Sequence, residues 1–583
     1  MGFDFQSALR AGFECVAAWS DLLDQINVFP VADGDTGRNL IISLTPLKSA
    51  PGDREKTIHN LLTHARGNSG NIAARFFAAF LKTDSRDESI LPGAIAGRDL
   101  AWQAVANPIP GTMLTVFDAL VDFLGSKSFQ STPEYVDGLV GHLEKCVKDT
   151  PALLPRLKSA GVVDAGALGI YIFWDGFFKR LAGHADISQP ITETFKGLLK
   201  VSQAFHEDPE AGHCVDTVMR FADGGEEKIK KLAEVGDSVV VIPHKDCYKI
   251  HLHTADAKQA RSRIESLGEV LKWSDDDIGL QIRDFENKPT PRAIHIMTDA
   301  AGSVTREDAR RLGMTLLDSY ITAGDASLPE TRFPPADLYR AMRSGVKVST
   351  SQASVFERHR HYQSVLQRHA RVLYLCVGSV FTGNYAVAVE WQQKNDQENR
   401  LTVLDTQAAS GRLGTIAIAT ARFAEKTQDP EAVVQFARSA IQICEEYVFL
   451  DKLKYLAAGG RLSRPGAFLG DMLHARPIIS PVAEGAKKVG VVKNAEGQLK
   501  FALKKLHDRL ETDSAPFIML EYSDNDRWVS DAVEPEIKAR FPQADILLQP
   551  LSLTSGVHMG PGTWGLAFLP ENTSCFKTPS EAR

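Results

Sequence analysis

Residues 27–39, NVFPVADGDTGRN, place Asp33 and Asp35 one glycine apart in a tight turn. Two carboxylates that close repel one another unless a cation lies between them or both project into water. The turn therefore reads either as a solvated loop or as a metal clamp. A calcium loop of the EF-hand kind starting at Asp33 is excluded, because Arg38 and Leu44 stand where Gly and Glu are required. Hard oxygen ligands that leave coordination positions for phosphate are the usual way magnesium is held. Three more glycine-bearing loops follow at expected helix ends: ARGNSGN (65–71), NPIPGTMLTV (107–116) and AGVVDAGALG (160–169). The first can offer backbone N–H groups and a hydroxyl to phosphate. Four such loops, joined by amphipathic helices, can meet at one end of a bundle.

A second constellation lies further along. Lys249, His251 and His253 alternate with Tyr248, Ile250 and Leu252. Residues two apart on a strand share a face, so the two imidazoles can close on one ion. Cys214, in EAGHCVD, can supply a thiolate. Spacing alone leaves open a solvent-facing histidine pair. The usual nucleotide signatures are missing: GSVFTGNY (378–385) has Asn-Tyr where a phosphate-binding loop needs Lys and Ser/Thr. GPGTWG (560–565) matches G-x-G-x-x-G, but apolar LAFL follows it where a helix should start.

The elements that must carry these residues fall into three regions. Phe5, Leu9, Phe13, Val16, Trp19, Leu23 and Ile26 form one helical stripe, GTMLTVFDALVDFLG predicts a second helix, and ALGIYIFWDGFFKRL (167–181) predicts a helix buried on most sides. Around residues 196–286, GDSVVVI, PHKD and CYKIHLHT read as strand, turn and strand. GGEEKIKKLAEVG and DAKQARSRIESLG read as flanking helices ending at glycine, which makes this region a small α+β domain. FENKPTPR (285–292) is a Pro-containing polar linker. Beyond it the apolar runs AIHIM, VLYLCV, LTVL, FIMLEY, DILL and GLAFL alternate with helical patterns, as in a parallel sheet of an α/β architecture. Asp299, Gly378-Ser379 and Asp405-Thr406 end three of these runs, where open α/β sheets collect ligands.

At 583 residues the chain is too long for one core, and roughly 100–200 residues per domain predicts three or four. A net charge of -7 gives no electrostatic reason to expect nucleic acid or an anionic membrane as partner. Seven scattered cysteines argue against a disulfide framework and for a reducing compartment. Asp4 stands where a signal peptide would be basic, and no run of about 18 apolar residues occurs. The expectation is a soluble cytoplasmic protein.

In their order, NVFPVADGDTGRN, ARGNSGN, PGTMLTV and GVVDAGALG resemble the nucleotide-binding domain of the dihydroxyacetone-kinase L-subunit superfamily, over roughly residues 1–190. The resemblance implies an antiparallel all-α helical barrel over 1–195 that holds Mg-ATP at its rim. It implies Asp33 and Asp35 as magnesium ligands, Asn27 as a further candidate, Asn68, Ser69 and Gly70 on the phosphates, and Thr112 and Asp164 on the other nucleotide loops. Ala32, Arg38 and Ala167 depart from the usual Pro, Thr and Gly. Residues 196–288 look like the middle domain of a fatty-acid kinase A component, which implies zinc on Cys214, His251 and His253.

Residues 289–583 resemble the DegV family of fatty-acid-binding proteins through VSTSQAS, GSVFTGNY, LAAGGRLS, RPII and HMGPGTWG, with an α/β fold of two subdomains. Thr350, Ser379 or Thr382, and His558 match that family's carboxylate-holding groups, and Arg461 is a candidate helper. TDAAGS, Ala353 and Gly378 depart from its usual text. Together the resemblances imply a single-chain fatty-acid kinase that uses ATP to make an acyl phosphate. The implied partners are a long-chain fatty acid, an enzyme that accepts the acyl phosphate, and a second copy of the chain if one chain cannot bring its own sites together. A kinase for a small hydroxyketone or sugar and a non-catalytic lipid carrier or sensor are the competing readings.

Overall fold

The computed structural model describes residues 4–48, 53–82, 90–183, 190–206, 212–221, 228, 231, 232, 234–244, 246–286, 292–458 and 476–570. The chain divides into two compact units, Met1–Asn287 and Lys288–Arg583. The helical and α+β regions of the sequence both lie in the first.

In the first unit, helices α1 (Phe5–Gln25), α2 (Thr36–Leu44), α3 (Arg54–His64), α4 (Gly67–Phe80), α5 (Ile90–Ala104), α6 (Met113–Ser126) and α7 (Pro133–Lys148) are followed by the short α8 (Thr150–Leu153) and α9 (Pro155–Ala160) and then α10 (Ala165–Leu181). Helix packing runs α1–α2–α4–α5–α6–α7–α10 and back to α1, which closes a ring. α10 is buried continuously from Ala165 to Lys179, as its all-round apolar sequence predicts. It packs on α1, α2, α6 and α7. Phe76, Phe77 and Phe80 of α4 meet Trp174 of α10 in tilted and edge-on pairs, and Phe117 of α6 stacks on Phe76 at 4.0 Å. Such pairs contribute about 0.5–1.5 kcal/mol each beyond the area they bury.

Against this ring lies a four-stranded antiparallel sheet in the order β2–β3–β1–β4, formed by β1 (His213–Arg220), β2 (Asp237–His244), β3 (Cys247–Thr254) and β4 (Glu269–Asp277). β2 and β3 form the expected hairpin, whereas β1 and β4 are strands that the polar text of their segments conceals. Alternation sorts the two faces. Val215, Met219, Ile250 and Leu252 pack under Ala260 and Ile264 of the helix Ala257–Leu267. Cys214, His251 and His253 occupy the other face, and β2 and β3 pack on α4. The expected helix over GGEEKIKKLAEVG falls largely outside the described residues.

The second unit contains β5 (His295–Asp299), β6 (Thr315–Leu317), β7 (Tyr320–Ala323), β8 (Ala326–Pro329), β9 (Val348–Ser351), β10 (Val372–Cys376), β11 (Leu401–Asp405), β12 (Glu445–Phe449), β13 (Arg476–Val482), β14 (Gly485–Val492), β15 (Phe517–Tyr522), β16 (Asp545–Pro550) and β17 (Trp564–Leu569). They make a parallel sheet β11–β10–β5–β6, a mixed sheet β14–β13–β12–β17–β15–β16, and a small sheet β8–β7–β9. The runs AIHIM, VLYLCV and LTVL lie in the parallel sheet. FIMLEY and DILL pair in parallel, but GLAFL (β17) runs antiparallel to both its neighbours, contrary to the parallel expectation. A strand buried on both faces carries the same apolar text in either direction.

Two buried acids face one another across β17. Glu446 of β12 and Glu521 of β15 are both fully buried. Glu446 accepts from Ser410 Oγ (2.6 Å), Gly411 N (3.1 Å) and Arg412 N (3.0 Å) at the start of the helix Ser410–Ala424. Glu521 accepts from Ser303 Oγ (2.5 Å) and lies over Gly565, where a Cβ would stand 2.2 Å from its Oε2. Burial first, then the neighbouring Glu446 carboxylate, holds the Glu521 carboxyl well above its usual range. Glu446 accepts three hydrogen bonds and Glu521 one, so Glu521 is the acid of the pair whose raised carboxyl favours a proton retained on folding. A proton retained on folding makes stability fall as pH rises above about 4.5, by up to about 1.4 kcal/mol per pH unit, until the folded pKa is passed. Glu521→Gln keeps the shape of the side chain, carries no titrating proton and removes that slope. Urea midpoints of both proteins between pH 5 and 8 test this, and parallel pH profiles would refute a retained proton.

Candidate functional site

In the first unit a single cleft is lined by Asn27, Asp33, Asp35, Asn68, Ser69, Thr112, Asp164, Cys214, His251 and His253. The two constellations that the sequence keeps about 180 residues apart therefore open into one space. Each residue owes its position to a local rule. Gly34 adopts φ +63°, a left-handed conformation that glycine enters without strain, so the turn can present Asp33 and Asp35 just before α2. Phe285, of the helix Ile278–Glu286, covers that turn, with its ring 3.0 Å from where a Gly34 Cβ would be. Thr112 caps α6 by accepting from Leu114 N (3.4 Å), and Asp164 caps α10 by accepting from Ala167 N (2.7 Å). Ser69 lies in the first turn of α4, where unpaired N–H groups and the helix dipole favour an anion.

The cleft gathers three desolvated carboxyls, Asp33, Asp35 and Asp164. Asn27 Nδ2 donates to Asp33 Oδ1, and Thr36 Oγ1 donates to Asn27 Oδ1 (2.7 Å). Burial first, and then the charge of Asp35, pushes the Asp33 carboxyl well above its usual range. Burial also raises Asp35, opposed by Arg38 and by a hydrogen bond from Asn39. Arg38, the unusual residue of the turn, is thus the cationic neighbour of Asp35. Burial raises Asp164 to about 7. Desolvated carboxylates facing one another are costly alone and are favoured by a divalent cation between them. The donor set of Asp33 and Asp35, all hard oxygen, fits magnesium.

Cys214, His251 and His253 are buried, and one ligand atom from each lies within 4.8 Å of the others. With His251 1% and His253 8% exposed, the solvent-facing alternative is closed. Register explains the cluster: Cys214 pairs with His253 across β1 and β3, and His251 is two residues along the same face. The His251 Nε2 atom is buried with no hydrogen-bond partner. Burial lowers the His253 imidazole to about 3, so it is a neutral donor at neutral pH. A soft cysteine sulfur, two buried imidazoles and an orphaned ring nitrogen fit zinc, with one position left open.

Asp216, Asn39 and Thr36 are site residues that the sequence reading did not single out. Asp216 sits opposite His251 on β1, and its Oδ1 lies 3.4 Å from His251 Nδ1. Burial alone would raise this carboxyl, but His251 and Lys249 hold it below its usual range. The period-2 pattern from Cys214 to Asp216 was the available signal. Gly70 is absent from the cleft lining. It lets α4 approach α2, since a Cβ there would fall 2.1 Å from Ser43 Oγ and 2.8 Å from Asn39 O.

In the second unit, Thr350 of β9 and His558 of the helix Leu553–Met559 are joined, Oγ1 to Nε2, at 3.2 Å. Ser379 follows β10, with its hydroxyl donating to Asp405 Oδ2 (2.6 Å) at the end of β11. Thr382 Oγ1 accepts from Asn384 N (3.2 Å) at the start of the helix Asn384–Asn395. Arg461 lies outside the described residues.

Comparison with known proteins follows this division. Residues 30–179 match the DAK2 domain, residues 210–284 match the FakA-like middle domain of fatty acid kinase, and residues 293–571 match the uncharacterised DegV family. The three matches lie one after another along one polypeptide. An uncharacterized protein of Staphylococcus saprophyticus is 30% identical to this chain over 327 residues, which is 52% of this chain and 59% of that protein. One from Staphylococcus haemolyticus is 29% identical over 310 residues, 49% of this chain and 56% of the other. The chain thus spans little more than half the length of these relatives.

Among solved structures, a fatty-acid-binding DegV family protein from Thermus thermophilus has 24% identity and a TM-score of 0.44, covering 48% of this chain and 99% of its own. DegV from Bacillus subtilis, a fatty acid binding protein, has 17% identity and a TM-score of 0.44, with the same coverage. Among the described residues no helix is long and apolar enough to cross a membrane.

Proposed function

We propose that this protein is a fatty-acid kinase that transfers the γ-phosphoryl group of ATP to a fatty-acid carboxylate. The observation that carries the reading is the convergence of Asp33, Asp35, Ser69, Thr112 and Asp164 on one cleft. The match of residues 210–284 to the FakA-like middle domain of fatty acid kinase supports the acceptor class. A carboxylate oxygen of the fatty acid attacks the γ-phosphorus, the bond to the β–γ bridging oxygen breaks, and ADP leaves with that oxygen's electron pair. The products are an acyl phosphate and ADP. A carboxylate is already nucleophilic at pH 7, so the protein need not supply a strong base.

Asp33 and Asp35, with Asn27 orienting Asp33, are the magnesium ligands of this reading. Bound magnesium supplies charge neutralisation between the β- and γ-phosphates. Asn68 and Ser69, at the start of α4, bind phosphate oxygens, and Thr112 and Asp164 border the nucleotide. Cys214, His251 and His253 are the zinc ligands. In the second unit Thr350 and His558 hold the fatty-acid carboxylate, with the Ser379 or Thr382 hydroxyl as a further donor. The proposed domains span 1–195, 196–288 and 289–583, and the setting is the cytoplasm, with an acyl-phosphate-consuming enzyme downstream.

Purified protein with Mg-ATP and oleate, followed by hydroxamate trapping of acyl phosphate, tests this function, with dihydroxyacetone as the competing acceptor. Oleate-dependent ADP release with hydroxamate formation is expected. Turnover only with dihydroxyacetone, or with neither acceptor, would overturn the reading. For the carboxylate site, His558→Ala is expected to weaken oleate binding by about 1.5–3 kcal/mol, roughly 10- to 150-fold in Kd. Calorimetry with oleate and with Mg·ADP checks this, and an equal loss for both ligands would count against the assignment.

A further inference from the structure

We propose that Asp216 is a positioning residue that couples nucleotide binding to metal binding, by holding His251 of the metal centre and the start of α4 with one carboxylate. This rests on the reading of Cys214, His251 and His253 as a metal site. The carboxylate spans two segments far apart in sequence. Its Oδ2 accepts from Gly67 N at 3.4 Å, and its Oδ1 lies 3.5 Å from Asn71 Nδ2 and 3.4 Å from His251 Nδ1. Asn71 in turn donates to Gly67 O at 2.7 Å, so the first turn of α4 is tied to the carboxylate twice. Asn68 and Ser69 occupy that same turn and line the cleft.

On its other side Asp216 behaves as an outer partner of the metal centre. It is not part of the mutually close set of Cys214, His251 and His253. It faces His251 Nδ1 at 3.4 Å, a nitrogen that also lies 3.9 Å from Cys214 Sγ, while the buried His251 Nε2 has no partner. A carboxylate that accepts from Nδ1–H fixes the tautomer in which Nε2 carries the lone pair, and sets the angle of the ring. A metal held by the unpartnered Nε2 would polarise the ring and strengthen the contact between Nδ1–H and Asp216. That ordered carboxylate then holds the Gly67 N–H and the Asn71 amide, and so the geometry of the phosphate-facing turn. By linkage the effect is reciprocal, and nucleotide binding tightens the metal.

The test measures Mg·ADP affinity of the full chain, zinc-loaded and zinc-free, and Zn2+ affinity with and without Mg·ADP. In the wild type each ligand is expected to tighten the other by about 5- to 150-fold. In Asp216→Ala, Zn2+ affinity is expected to fall about 10- to 100-fold and the coupling factor to approach one. Asn71→Ala, which cuts only the α4 side, is expected to keep Zn2+ affinity within about threefold while the coupling factor falls. With Co2+ as probe, the thiolate-to-cobalt absorption of the wild type is expected to shift on adding Mg·ADP, and that of Asp216→Ala to stay fixed. A wild-type chain that binds no Zn2+ overturns the metal reading together with this one. Wild-type binding of both ligands with equal coupling in both variants overturns the coupling alone.

Discussion

Asp33→Asn is expected to lower fatty-acid-dependent turnover by about 10²–10³-fold while raising the melting temperature of the ligand-free protein by roughly 2–6 °C. The two effects share one cause. Asp33 is held away from water and beside Asp35, which pushes its carboxyl well above the usual range. In the absence of a cation this costs folding free energy, and a group raised on folding contributes stability that is lost as pH rises through its folded pKa. Asparagine keeps an oxygen to accept from the Asn27 amide, fits the same volume and carries no charge. The variant should therefore lose the stability dependence on pH that Asp33 imposes, and also the thermal stabilisation that Mg·ADP confers on the wild type. Hydroxamate formation and melting curves with and without Mg·ADP check both halves. Wild-type turnover would refute the magnesium assignment, whereas a less stable ligand-free variant would refute the like-charge account of the turn.

Arg358→Ala is expected to destabilise the second unit by about 3–5 kcal/mol, a large share of the 5–15 kcal/mol that holds a typical domain. Arg358 and Asp299 are each 2% exposed, and Arg358 Nη1 donates to Asp299 Oδ1 at 2.6 Å. Asp299 also accepts from Tyr374 Oη (2.9 Å), Val377 N (2.8 Å) and Asn384 Nδ2 (2.9 Å). These bonds tie the end of β5 to the end of β10 and to the helix that follows it. Removing the guanidinium leaves a buried anion without its counter-charge, and that is the costly event, because exchanging both charges for neutral groups of similar shape is often nearly neutral. Adding Asp299→Asn to Arg358→Met should accordingly recover most of the loss. Urea denaturation of the single and double variants measures it, and a single-variant cost under about 1 kcal/mol would show that the pair is dispensable.

Much of this molecule is legible in its sequence because the rules involved are local. Turn chemistry places Gly34 between Asp33 and Asp35, the 3.6-residue period marks α1 and α6, and all-round apolarity marks α10. The period of two places His251 and His253 on one face of β3. Such patterns act over a few residues and need no knowledge of what packs above them. The strands β1 and β4 escape the same reading, since the β4 text EVLKWSDDD is mostly polar and offers no apolar run.

What only the tertiary structure decides depends on contacts between distant segments. The antiparallel direction of β17 follows from its neighbours β12 and β15, not from its own residues. Gly70 serves the approach of α4 to α2 because Ser43 lies against it. Arg38 acquires a role once Asp35 is desolvated beside it. Above all, the turn NVFPVADGDTGRN and the strand CYKIHLHT line one cleft, and Asp216 reaches Gly67 across 149 residues of sequence. Residue types and short spacings fix which ligands a segment can offer. Burial and the pairing of charges, which decide whether those ligands want a cation or water, exist only after the chain has packed.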